Sequence, residues 1–145
     1  MGVFYLFQET YMKKNLKNPE KTAWEIFSKY IRLRDAIKTT GDIYFFRCCT
    51  CQRVKPFENS DAGHYMSIGY NSTKFDEKNV HSQCRACNRD RNGEHNAYRY
   101  FLQKQYGENF VQTLEYKAKK IVQLRENDYL EIIEKYKKKI ILLTK

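Results

Sequence analysis

A chain of 145 residues with 41% hydrophobic and 15% aromatic content has enough apolar side chain for one folded core, which excludes a disordered segment. Lys and Arg number 27 against 17 Asp and Glu, and the formal charge of +10 favours a polyanionic partner, nucleic acid before an anionic membrane surface. No apolar run nears the roughly 20 residues that span a bilayer, and no secretory, CaaX or myristoylation signal stands at either end, so the chain reads as soluble and cytoplasmic. Five Cys in such a context are thiols or metal ligands rather than disulfides.

Met1 to Leu16 is aromatic and then basic, an arm without a clear period. Asn18-Pro19-Glu20 reads as a helix start, because Asn caps and Pro suits a position whose N–H has no partner. Ala23, Trp24, Phe27, Tyr30, Ile31, Arg34 and Ile37 then recur at helical steps, with Arg34 as the break in the stripe and Gly41 as the stop. Ile43 to Phe46 is a short β-prone run that leads to Cys48, and Arg53 to Ser60 turns into a second arm kept short by Pro56. Asp61 to Ser67 is the next expected strand; Phe75 to Val80 closes a Gly/Asn/Ser loop, and a helix begins near Cys84, breaks at Asn92-Gly93 and resumes to Gly107. From Glu108 the pattern is helical, with Phe110, Val111, Leu114 and Ala118 on one stripe and Asn127 or Asp128 capping a last helix. The division is residues 1–42 (arm and helix), 43–107 (centre) and 108–145 (C-terminal helices), in one mainly helical α+β domain.

Cys48-x2-Cys51 and Cys84-x2-Cys87 form two clips at matching spacing. Tetrahedral zinc takes four thiolates, and a two-residue gap lets one tight turn present two of them. A four-sulfur site is closed, so this Zn²⁺ is structural. Cys49 reads as a small buried side chain, with Cys49-x-Cys51 as the alternative register.

Between the clips the order His64, Asn79, Asn88 is that of an H-N-H nuclease motif with Asn in the last place. Cys84 and Asn88 stand four apart, which on a helix is one face. His64 suits a general base, since an ordinary pKa near 6.5 leaves it mostly neutral at pH 7. Asp61 and the Asn88 carbonyl offer hard oxygens to a catalytic Mg²⁺ or Mn²⁺. Asn79 suits hydrogen bonding that orders the loop and the base. His81 is a candidate phosphate contact or a support for the site. Arg85, Arg89, Arg91 and Arg99 suit phosphates of DNA.

The chain resembles the lambdoid-phage NinG (Rap) recombination protein family from about Thr22 to Leu114. The likeness rests on Tyr30 to Asp35, the two Cys clips, Asp61-Ala62-Gly63-His64-Tyr65 and His81-Ser82-Gln83-Cys84-x2-Cys87-Asn88. It implies a treble-clef, ββα-metal centre and an endonuclease acting on branched recombination intermediates, with the four Cys on zinc and Asp61, His64 and Asn88 in the active site. Many H-N-H enzymes place a metal-binding Asp or His directly before the base; here that place is Gly63, so the acidic ligand moves to Asp61. The competing expectation is a non-catalytic zinc module that binds nucleic acid or a recombination partner. A symmetric cut across a junction favours a homodimer.

Overall fold

Asn18 and Pro19 do open the first helix: the Asn18 side chain accepts the Lys21 N–H at 3.1 Å, and Gly41 ends it at φ 84° with its N–H on the Ile37 carbonyl. The computed structural model describes residues 16–145, so the expected arm lies almost wholly outside the described residues. In chain order they form helix α1 (Pro19–Thr40), a hairpin of β1 (Phe45–Arg47) and β2 (Val54–Pro56), a hairpin of β3 (Ser60–His64) and β4 (Val80–Cys84), then helices α2 (His95–Tyr106), α3 (Glu108–Ala118) and α4 (Glu126–Leu143). This is an α+β fold, about half helical, with two separate two-stranded antiparallel sheets.

Two cores lie on opposite sides of the β3–β4 hairpin. On one side Phe27, Tyr30 and Ile31 of α1 meet Val80 and Tyr136, with Ile132 and Ile140 of α4 packed against them. Tyr136 stands edge-on to Phe27 at 4.8 Å between ring centroids. On the other side Tyr65 and Cys49 pack on Tyr98 and Leu102 of α2 and on Val111 and Leu114 of α3. Each of these large apolar side chains stabilises the fold by roughly 1.5–3 kcal/mol when fully buried.

Strand β4 departs from the sequence expectation, which ran a loop to Val80 and began a helix near Cys84. All five of its residues are buried, and they pair from Ser60↔Cys84 to His64↔Val80. A strand covered on both faces shows no polar–apolar alternation to read. Because Cys84 ends this strand, it does not share a helix face with Asn88. A single wide turn, Ala86–Asp90, carries Asn88 instead, closed by the Arg91 N–H on the Ala86 carbonyl at 2.9 Å. At α4, Asp128 caps from inside the first turn by accepting the Arg125 N–H at 2.8 Å, so the helix starts at Glu126, ahead of the expected caps.

Arg34, the break in the α1 stripe, straps the helix to β4. Its guanidinium donates to the carbonyls of Glu77 (2.8 Å) and Val80 (2.9 Å) and to Asp35 (2.8 Å), while Asp35 accepts the Ser82 N–H at 2.7 Å. Removing one member of such a network strands a buried charge. Arg34→Met is therefore expected to lower stability by about 3–5 kcal/mol, read as the urea midpoint at unchanged m-value. Asp35→Asn, which keeps an acceptor for Ser82, loses less.

Candidate metal centre and cleft

The turn after β1 presents Cys48 and Cys51: Gln52 sits at φ 63° with its N–H on the Cys48 carbonyl, and the Cys48 N–H returns to the Arg53 carbonyl, each at 2.9 Å. Cys84 closes β4 and Cys87 lies in the wide turn. The Sγ atoms of Cys48, Cys51, Cys84 and Cys87 all lie within 4.8 Å of one another, and Cys51 and Cys84 are 3.9 Å apart. Four sulfurs about 2.3 Å from a tetrahedral ion stand about 3.8 Å apart, so the set fits a metal such as zinc after a small contraction. Ala36 and Phe46 seal the cluster from water. Burial pushes the thiols of Cys51, Cys84 and Cys87 up; for Cys48, hydrogen bonds from Thr50 and nearby backbone N–H groups outweigh burial and bring it down. Cys49 faces the α2–α3 core, where burial pushes its thiol well above the ordinary value, and the alternative register falls away.

Beside this centre a cleft of about 410 Å³ runs along the edge of β3 that β4 leaves unpaired. One wall is α1, through Trp24, Ser28 and Arg32. The other holds Asp61, Asn88, Arg85 and Arg89, with Glu58 at the rim. Asn88 donates through Nδ2 to Asp61 at 3.0 Å, and Arg89 grips both Asp61 oxygens at 2.8 Å. Although partial burial raises the Asp61 carboxyl, its bonds to Arg89 and Asn88 prevail and hold it below the usual range. Sequence reasoning missed the α1 wall entirely, and the available signal was the four-residue step from Trp24 to Ser28 to Arg32.

His64 belongs to the other face of β3. Its ring stacks on Trp24 at 4.9 Å between centroids, and its Nε2 lies 2.9 Å from the Lys74 carbonyl. Since a carbonyl only accepts, Nε2 carries the proton and Nδ1 the lone pair. Burial lowers the pKa of His64 to about 4. The structure thus joins Asp61 to Asn88 and sets His64 one ring behind the cleft wall, with no hydrogen bond to either.

Asn79 is fully buried and orders the loop, accepting the Met66 N–H at 2.8 Å and donating to the Met66 and Thr73 carbonyls at 3.0 Å. His81 does not meet the expectation of a phosphate contact: it is 4% exposed, with its ring nitrogens at 3.2 Å and 3.0 Å from the Tyr98 and Tyr106 hydroxyls. Such a residue supports the hairpin and cannot reach a ligand. Arg85 and Arg89 face the cleft, whereas Arg91 turns to Glu94 and the Cys87 sulfur, and Arg99 is held by Glu108 and Glu115.

Gly63 has a steric reason. A Cβ there would lie 1.9 Å from the Gln83 Oε1, because that side chain crosses the glycine while donating to the Thr50 hydroxyl and the Gly93 carbonyl. Gly63→Ala is expected to cost about 1–3 kcal/mol in chemical denaturation, with part recovered in Gly63→Ala/Gln83→Ala.

Fold and centre together define a basic α+β protein whose four-cysteine cluster can hold a metal ion such as zinc. The chain belongs to the NinG family of lambdoid phages, matching the family described as Bacteriophage Lambda NinG protein over residues 8–145. Two curated relatives, each called Protein ninG and found in Escherichia phage 933W and Enterobacteria phage VT2-Sa, are each 31% identical over 96 residues, 66% of this chain and 43% of theirs. The chain thus spans less than half the length of these relatives. No solved structure matches it. Among the described residues no helix is long and apolar enough to cross a membrane.

Proposed function

We propose that this protein is a metal-dependent DNA endonuclease of the H-N-H type, built on a zinc-stapled treble-clef, ββα-metal centre and acting on branched recombination intermediates. The observation that carries the reading is the meeting of Asp61 and Asn88 in an open cleft, on a turn pinned by the cysteine cluster. A divalent cation held by Asp61 and the Asn88 carbonyl would polarise a phosphate oxygen and steady the leaving oxygen. Arg89 must release Asp61 for this. Its side chain is 60% exposed, so water and an arriving phosphate can compete for it against its two-point grip on Asp61, whose side chain is 15% exposed. Freed, Arg89 turns to the phosphate. His64, neutral at pH 7 and with its lone pair on Nδ1, would take the proton of the attacking water once its ring swings past Trp24 into the cleft. Asn79 orders the loop whose Lys74 carbonyl orients that ring.

The second reading is a non-catalytic zinc module that binds nucleic acid, and the stacking of Trp24 on His64 together with the grip of Arg89 on Asp61 favours it. Incubating the wild-type protein with Mg²⁺ or Mn²⁺ and linear, flapped or four-way DNA decides between them. Nicking establishes the nuclease; its complete absence leaves the binding module.

A further inference from the structure

Arg32 is placed unlike the other arginines of the cleft. Its guanidinium lies over the Phe57 ring at 5.2 Å from the centroid, a contact that holds the head group at the cleft. The side chain is half-buried, yet among the described residues no carboxylate stands within ion-pairing distance of it. The charge of Asp61 acts on it only at longer range, and both oxygens of Asp61 are taken by Arg89. Withdrawal from water without a partner disfavours the guanidinium, whose pKa burial lowers. A half-buried cation without a charged partner suits an anion that arrives from outside. Ser28, one turn earlier on the same face of α1, adds a hydroxyl, and Arg85 stands on the opposite wall.

We infer that Arg32 and Ser28 on the α1 wall and Arg85 on the wall that carries Asp61 and Asn88 form a binding site, bridging the cleft, for one backbone phosphate of DNA. A planar fork pre-set by an aromatic ring suits two phosphate oxygens at once. A phosphate seated there is gripped from α1, and the bond next to it lies toward Asp61. The site rests on the nuclease reading only in that last respect; phosphate binding stands by itself.

The test is anisotropy titration of a fluorescent four-way DNA junction, with no Mg²⁺ or Mn²⁺ added and no chelator, at several salt concentrations, with zinc content and melting temperature followed in parallel. Arg32→Gln is expected to weaken binding about tenfold and to flatten the slope of log K against log salt by about one charge. Arg32→Lys keeps the slope and loses part of the affinity, since an ammonium cannot bind two oxygens in a plane. Ser28→Asp, which supplies Arg32 with an internal carboxylate, is the second variant should Arg32→Gln fail to fold, and it is expected to weaken binding similarly. An Arg32→Gln slope equal to wild type, or a folded Ser28→Asp with unchanged affinity, overturns the phosphate site. A wild-type protein that cuts nothing in Mg²⁺ while the slope still flattens overturns the nuclease alone. RNA of the same sequence competing as well as the junction overturns DNA as the ligand.

Discussion

Cys87→Ser is expected to abolish the folded centre, not merely to weaken it. Structural zinc on four thiolates contributes about 10 kcal/mol or more, and a domain has only about 5–15 kcal/mol in total. With one sulfur gone, the turn that carries Asn88 loses its anchor beside β4. Far-UV circular dichroism and metal analysis check this: the variant retains no stoichiometric zinc and shows no cooperative melt, and a strong chelator does the same to the wild type. Cys49→Ser is the control, because Cys49 lies in the α2–α3 core and not among the four sulfurs. It keeps its metal. A wild-type protein that carries no zinc, with a Cys87→Ser variant that melts as it does, would show that the four sulfurs are ordinary buried thiols.

His64→Ala is expected to reduce cleavage of four-way DNA by about 10²–10⁴-fold while zinc content and DNA binding persist. The pH profile adds a sharper signature. Burial lowers the pKa of His64 to about 4, so the base stays in its active, neutral form as pH falls past the ordinary histidine range. Wild-type cleavage should therefore fall off near pH 4, and not near 6.5 where a solvent-exposed histidine titrates. The same displacement acts on stability. An unfolded His64 takes up a proton near pH 6.5, a folded one only near 4, so its contribution is full above 6.5 and is lost as pH falls toward 4. An acid limb at 6.5, or a His64→Ala enzyme that cuts at the wild-type rate, removes His64 from the proposed chemistry.

What the sequence revealed was what short spacing encodes. The ends of α1 follow from Asn18, Pro19 and Gly41, and the proximity of the four sulfurs follows from two matched clips. Strand β4 was hidden because Val80, His81, Ser82, Gln83 and Cys84 are satisfied by partners far away in the chain: Tyr98 and Tyr106 for His81, Asp35 for the Ser82 N–H, Thr50 and Gly93 for Gln83. Polar residues that read as loop are buried once those partners arrive. Of the two roles the sequence leaves open for His81, support holds and phosphate contact does not, since nothing local distinguishes a histidine between two tyrosines from one that faces solvent. Arg34 looked like a flaw in an apolar stripe and proved to be the tie between α1 and β4. The pairing of Asp61 with Asn88 joins two segments separated by the whole loop, and only the hairpin register brings them together.

The seating of Tyr136 between Phe27 and Tyr30 has a consequence for biosynthesis. Within the described residues α1 leaves the ribosome well before α4, which carries the ring packed against it. A nascent polypeptide halted before Glu126 would already own its cysteines, its hairpins and the Arg34 tie, yet Phe27 and Tyr30 would lack their Tyr136 cover. Completion of the α1 wall thus waits on α4.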